Sequence, residues 1–100
     1  MRILVASNST SKRTDYFIKA GRSLGADTCF VTYDELSAVL PDCRDTVVKL
    51  EPPVFREADF RKYNLLCEEY RSLLSRLADT DKSESVHFLN EPAAILCVTR

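Results

Sequence analysis

Glycine is scarce in this chain. Only Gly21 and Gly25 occur in 100 residues, and neither lies in the polar loop Ser7-Asn8-Ser9-Thr10-Ser11-Lys12-Arg13-Thr14. The G-x-x-x-x-G-K-[ST] phosphate loop and the G-x-G-x-x-G dinucleotide turn are therefore absent, because both need glycine where backbone approaches phosphate. Histidine is scarcer still, with His87 alone. The four cysteines, Cys29, Cys43, Cys67 and Cys97, form no C-x-x-C pair. Zinc sites and dithiol redox chemistry lose their usual ligand spacing, and the thiols read as reduced cysteines of an intracellular protein. No run approaches the roughly 20 apolar residues of a membrane span. The opening Ile3-Leu4-Val5-Ala6 is also too short for a signal peptide, so a soluble cytoplasmic chain with no membrane partner is expected. Neither sign of charge dominates: 14 basic and 15 acidic side chains give a net charge of -1, which supplies no field to recruit nucleic acid. No internal repeat or low-complexity segment is present.

What is present suits one domain over residues 1–100, with 45% hydrophobic content to build one core. Arg2 to Ala6 is a continuously apolar run, the pattern of a central strand covered on both faces. Thr14 to Leu24 carries Phe17, Ile18, Ala20 and Leu24 near helical spacing, and Gly25 is placed to end that helix in the left-handed conformation. Thr28 to Tyr33 is β-branched and aromatic, as in a second strand. Asp34 is expected to cap a short helix through Leu40, terminated by Pro41. Thr46 to Leu50 is the third strand, stopped by Pro52-Pro53.

The longest helix is expected from about Glu57 to Ala78, with Phe60, Tyr63, Leu66, Cys67, Tyr70, Leu73, Leu74 and Leu77 on one face. Tyr63 and Tyr70 read as core packing. After a polar turn, Val86-His87-Phe88-Leu89 reads as a fourth strand, and Asn90 as the cap of a last helix with Pro92 in its first turn. His87, inside an apolar strand, reads as a satisfied, partly buried histidine.

Alternating strands and helices predict an α/β, Rossmann-like three-layer sandwich with helices on both faces of a four-stranded parallel sheet. The simplest strand order is 3-2-1-4, which brings the first-strand loop beside Asn90 where the winding reverses. The loop offers hydroxyls and cations at a helix N-terminus, a setting for phosphate or carboxylate. A solvated, capped turn is the competing reading of the same residues. Asp42, Asp45 and Glu51 surround the third strand without the paired spacing of acid/base chemistry.

The segment Ser85-Val86-His87-Phe88-Leu89-Asn90-Glu91-Pro92-Ala93-Ala94-Ile95-Leu96 resembles the end of the N-terminal domain of ATP-grasp enzymes, where a strand ends in an hFLN-x-P-x-A-I pattern. The opening strand Met1 to Ser7 and the strand–helix order fit the same pre-ATP-grasp domain. The resemblance implies the substrate-side domain of a carboxylate-amine or carboxylate-thiol ligase that activates its acid as an acylphosphate. ATP and magnesium would be held by later ATP-grasp domains of the same polypeptide, leaving no cofactor and no catalytic residue in this piece. By position, Ser9, Thr10, Lys12 and Asn90 would help hold the small-molecule substrate. The family often has a basic residue soon after the last helix, and Arg100 lies near that point outside a full match.

The last helix runs to Thr99-Arg100 with no stop signal, so an excised domain or fragment is expected. Its face Ala94, Ile95 and Val98 offers a dimer contact. Two other function classes remain open. A flavodoxin-like domain would hold FMN phosphate in the Ser7 to Thr14 loop. A non-enzymatic regulatory module, such as a receiver-like domain, would need an acidic cluster at strand ends, where the first strand here has Ser7-Asn8.

Overall fold

The structure, a computed structural model, describes residues 1–55, 59–79, 86–90, 92, 94 and 95. The elements in chain order are β1 (Arg2–Ser7), α1 (Lys12–Ser23), β2 (Asp27–Thr32), α2 (Tyr33–Val39), a 3-10 turn (Leu40–Asp42), β3 (Thr46–Leu50), α3 (Phe60–Asp79) and β4 (Val86–Phe88). Residues 92, 94 and 95 are helical. Neither Glu57, the expected start of the long helix, nor Val98 and the rest of the last helix is among the described residues.

All pairings in the four-stranded sheet are parallel, so the predicted α/β class stands. The strand order does not: it is β2-β1-β3-β4, with β3 seated between β1 and β4. The order 3-2-1-4 would make the α3 connection pass over two strands. The observed order passes over one, between β2 and β3, and every other step joins neighbours. Right-handed crossovers then put α1 on one face of the sheet and α2 and α3 on the other, which accords with α2 packing on α3. The winding reverses between β1 and β3, and their C-terminal ends flank the crevice expected of a doubly wound sheet.

Central placement explains the unbroken apolar run of β1, where Leu4, Val5 and Ala6 are all fully buried. Leu4 and Ala6 face the larger core with Val31, Val48, Leu50, Leu36, Leu73 and Leu74. On the opposite face α1 approaches β2 closely at Gly21, where an added Cβ would overlap the Thr28 hydroxyl. Helix α1 begins with a capping box between Ser11 and Thr14. It ends in a Schellman motif, with Ala26 N–H bonded to Gly21 C=O, Gly25 N–H to Arg22 C=O, and Gly25 at φ 83° as expected.

Three local expectations are corrected. The cap of α2 is Thr32, whose hydroxyl accepts from Glu35 N–H, while Asp34 sits in the first turn; Tyr33 belongs to the helix, and Pro41 lies within the 3-10 turn that continues it. Tyr70, Leu73, Leu74 and Leu77 of α3 are buried, but Phe60 and Tyr63 are 83% and 44% exposed, so Tyr63 is not core. Tyr63 instead meets Phe55 edge-on at 5.4 Å. His87 is exposed rather than partly buried: β4 alternates, and its central side chain points away from the α2/α3 core that Val86 and Phe88 join.

Candidate functional site

The site is assembled at the C-terminal edge of β1 and β3. Past the end of β3 the ladder continues by one bond, from Glu51 N–H to Ala6 C=O at 2.9 Å. The following chain is then tied to the β1 loop. Asn8 donates from Nδ2 to Val54 C=O at 2.9 Å and accepts Val54 N–H at 2.6 Å, and Ser7 Oγ donates to Pro52 C=O at 3.2 Å. Pro52 and Pro53 thus end the strand and direct the chain along the crevice.

Strand periodicity sends Lys49 and Glu51 to the face that α1 covers, while Leu50 enters the opposite core. The Glu51 side chain is only 5% exposed. Its Oε1 lies 3.5 Å from Lys49 Nζ, and its Oε2 lies 3.7 Å from Arg13 Nη1 on the first turn of α1. Both contacts are ionic, and Oε1 makes no hydrogen bond. A carboxylate taken out of water in this way needs such compensation. Lys49 Nζ also donates to Asn90 Oδ1 at 3.1 Å and sits 5.3 Å from the centroid of the Phe17 ring.

Beneath these groups, the backbone carbonyl of Glu51 accepts a 2.6 Å hydrogen bond from Tyr33 Oη. Tyr33 stacks on Tyr70 with ring centroids 5.4 Å apart. Burial raises both phenol pKa values above the ordinary range, and the Glu51 charge adds to the effect in each case. Tyr33 is therefore held as a neutral donor.

These side chains surround a cleft of about 710 Å³. Lys12, Arg13, Tyr16 and Phe17 of α1 form one wall, Lys49, Glu51 and Pro52 the strand edge, and Tyr70, Asn90 and Ile95 the far side. Cations outnumber carboxylates three to one among the described lining residues. The arrangement can attract an anion, with Lys49 held by Glu51 and Asn90 and with Lys12 and Arg13 exposed at the rim.

Of the residues expected to hold substrate, Lys12 and Asn90 both line the cleft. Asn90 accepts a hydrogen bond from Lys49 Nζ on its side-chain oxygen. Ser9 is half-buried and Thr10 exposed, and neither lines the cleft. The β1 loop turns aside because Asn8 is bonded to Val54 and Ser11 caps α1. From sequence Lys49 was not singled out and Glu51 was set aside for want of paired acid/base spacing; their i, i+2 spacing on a strand was the available signal that they share a face.

No group of three or more His, Cys, Asp or Glu side chains among the described residues is placed to hold a metal ion, and no helix among them is long and apolar enough to cross a membrane. Cys29, Cys43 and Cys67 are free thiols, while Cys97 lies outside the described residues. No protein-family model, curated protein or solved structure matches the chain.

Proposed function

We propose that the crevice binds a small organic acid, and that the chain is the substrate-side domain of an ATP-dependent carboxylate ligase of ATP-grasp type. The observation that carries the reading is the convergence of Lys12, Arg13 and Lys49, from two separate elements, on one cleft with a single opposing carboxylate, Glu51. Glu51 holds Arg13 and Lys49 in register, and the excess positive charge is left for a ligand. The acid to be activated would lie at this edge, while ATP and magnesium would be held by further domains of the same polypeptide. The chain's own residues would bind and orient the acid and carry out no bond-making step.

The strand order also suits an FMN-binding domain, whose ligand sits at the same switch point. That reading needs the β1 loop to hold phosphate. Here the Ser11 and Thr14 side chains are engaged in the capping box and Asn8 is bonded to Val54, so the organic-acid reading is preferred.

Calorimetric titration of the chain separately with small carboxylic acids and with ATP tests the proposal. Saturable binding of an acid, with no submillimolar binding of ATP, is expected. Tight ATP binding by this chain would contradict the assignment to the substrate side, and failure of every acid to bind would remove the site itself.

A further inference from the structure

Most of the cleft wall is not charged. Six of its lining residues, Tyr16, Phe17, Leu50, Pro52, Tyr70 and Ile95, are apolar or aromatic, and its volume of about 710 Å³ far exceeds that of one carboxylate or phosphate group. Pockets that hold organic ligands span roughly 300–1,000 Å³ and combine apolar walls with a few polar anchors. A small inorganic anion at Lys12 and Arg13 would leave that wall in water.

Tyr16 narrows the choice further. It lies one helical turn beyond Lys12 on α1, beside the cationic rim, and is 69% exposed. Phe17, by contrast, is half-buried, with Lys49 over its ring. The two rings meet edge-on, with centroids 5.9 Å apart at 72°. This contact leaves most of Tyr16 open to solvent, while Tyr70, buried against Tyr33, only borders the cleft from α3. An exposed tyrosine beside cations suits a flat ring whose acidic group is held by those cations, because aromatic groups gain from offset or edge-to-face contact beyond the area they bury.

Resting on the organic-acid reading above, we infer that the ligand of this cleft is an aromatic acid, with its acidic group at Lys12, Arg13 and Lys49 and its ring against Tyr16. The ring occupies the apolar part of the cleft between α1 and Tyr70. Tyr16 is thus a specificity-determining residue, whereas the cations set affinity for acids in general.

The test is a titration of the chain, followed by NMR and calorimetry, with 2-naphthoate and with its fully saturated decalin counterpart, which has the same carbon skeleton and acidic group without the aromatic π-system. The naphthoate is expected to bind about fivefold tighter and to shift the Tyr16 ring protons by its ring current. Tyr16→Leu, at an exposed position, is expected to abolish the preference, so that the variant binds the two acids with equal affinity. Equal affinities for the two acids, or a preference that survives Tyr16→Leu, would overturn the aromatic assignment and leave the acid-binding reading standing. Binding of neither acid would overturn both.

Discussion

Glu51 shows how much of a site can depend on one side chain. It is buried, and its compensation comes from two cations on different elements. Removing the charge leaves Lys49 with Asn90 and the Phe17 ring but releases Arg13. Breaking a fully buried ion pair costs roughly 3–5 kcal/mol. Because Arg13 is largely exposed, Glu51→Gln should cost less, about 2 kcal/mol in urea denaturation. The two buried phenols make a separate statement about pH. Their folded pKa values are raised, chiefly by burial, so their contribution is fully present below the ordinary phenol value of about 10 and is lost as pH rises toward the folded values. The denaturation midpoint should therefore fall above pH ~10, and Tyr33→Phe should reduce that fall while costing about 1 kcal/mol at neutral pH through the lost bond to Glu51 C=O. An unchanged alkaline slope in the variant would contradict this account. Spacing alone signalled only that Lys49 and Glu51 share a face. Asn90 and Lys49 are 41 positions apart, and no local pattern announces such a pair.

At the scale of elements, the joint between α1 and β2 is the most exacting. Gly21 is buried against fully buried Thr28, and a Cβ there would overlap the hydroxyl and stand 3.0 Å from the Thr28 Cβ. Thr28 is β-branched and has little freedom to turn away. Gly21→Ala is expected to destabilise by about 2 kcal/mol despite the better helix propensity of alanine. In a double-mutant cycle Thr28→Ala should recover part of that loss; simple additivity of the two changes would contradict the steric account. The C-terminal end of α1 was legible because Gly25 acts locally, whereas the helix begins at Lys12 behind the Ser11 cap, two residues before the expected Thr14. The sequence signalled the face of α3 but not how much of that face is covered. A 20-residue helix is about 30 Å long, whereas the three to six residues of each strand span no more than about 20 Å. Phe60 and Tyr63 continue the apolar period of α3 and are nonetheless exposed. Periodicity reports which residues share a face and is silent about the extent of the surface opposite.

For the whole molecule, alternation of strand and helix was enough to predict a parallel α/β sheet, and the apolar run of β1 was enough to place that strand centrally. The strand order was not legible, because right-handed crossovers permit β3 on either side of the β1–β2 pair. The change of order moves the reversal point from β1/β4 to β1/β3, and with it the cleft, whose strand wall is Lys49, Leu50 and Glu51 rather than the hydroxyl loop. Lys12 and Asn90 remain at the site under either order because α1 and the β4 turn both open on the same edge of the sheet. The proposed function rests on this edge being an anion-binding crevice. Its most direct test is a titration of isotopically labelled chain with a small organic acid at low salt, following the amides of Arg13, Lys49 and Asn90. The account predicts saturable shifts at these positions that weaken with added salt and are largely lost in Lys12→Glu, a change at an exposed residue. Shifts confined to other surfaces, or none at these three positions at saturating acid, would contradict it.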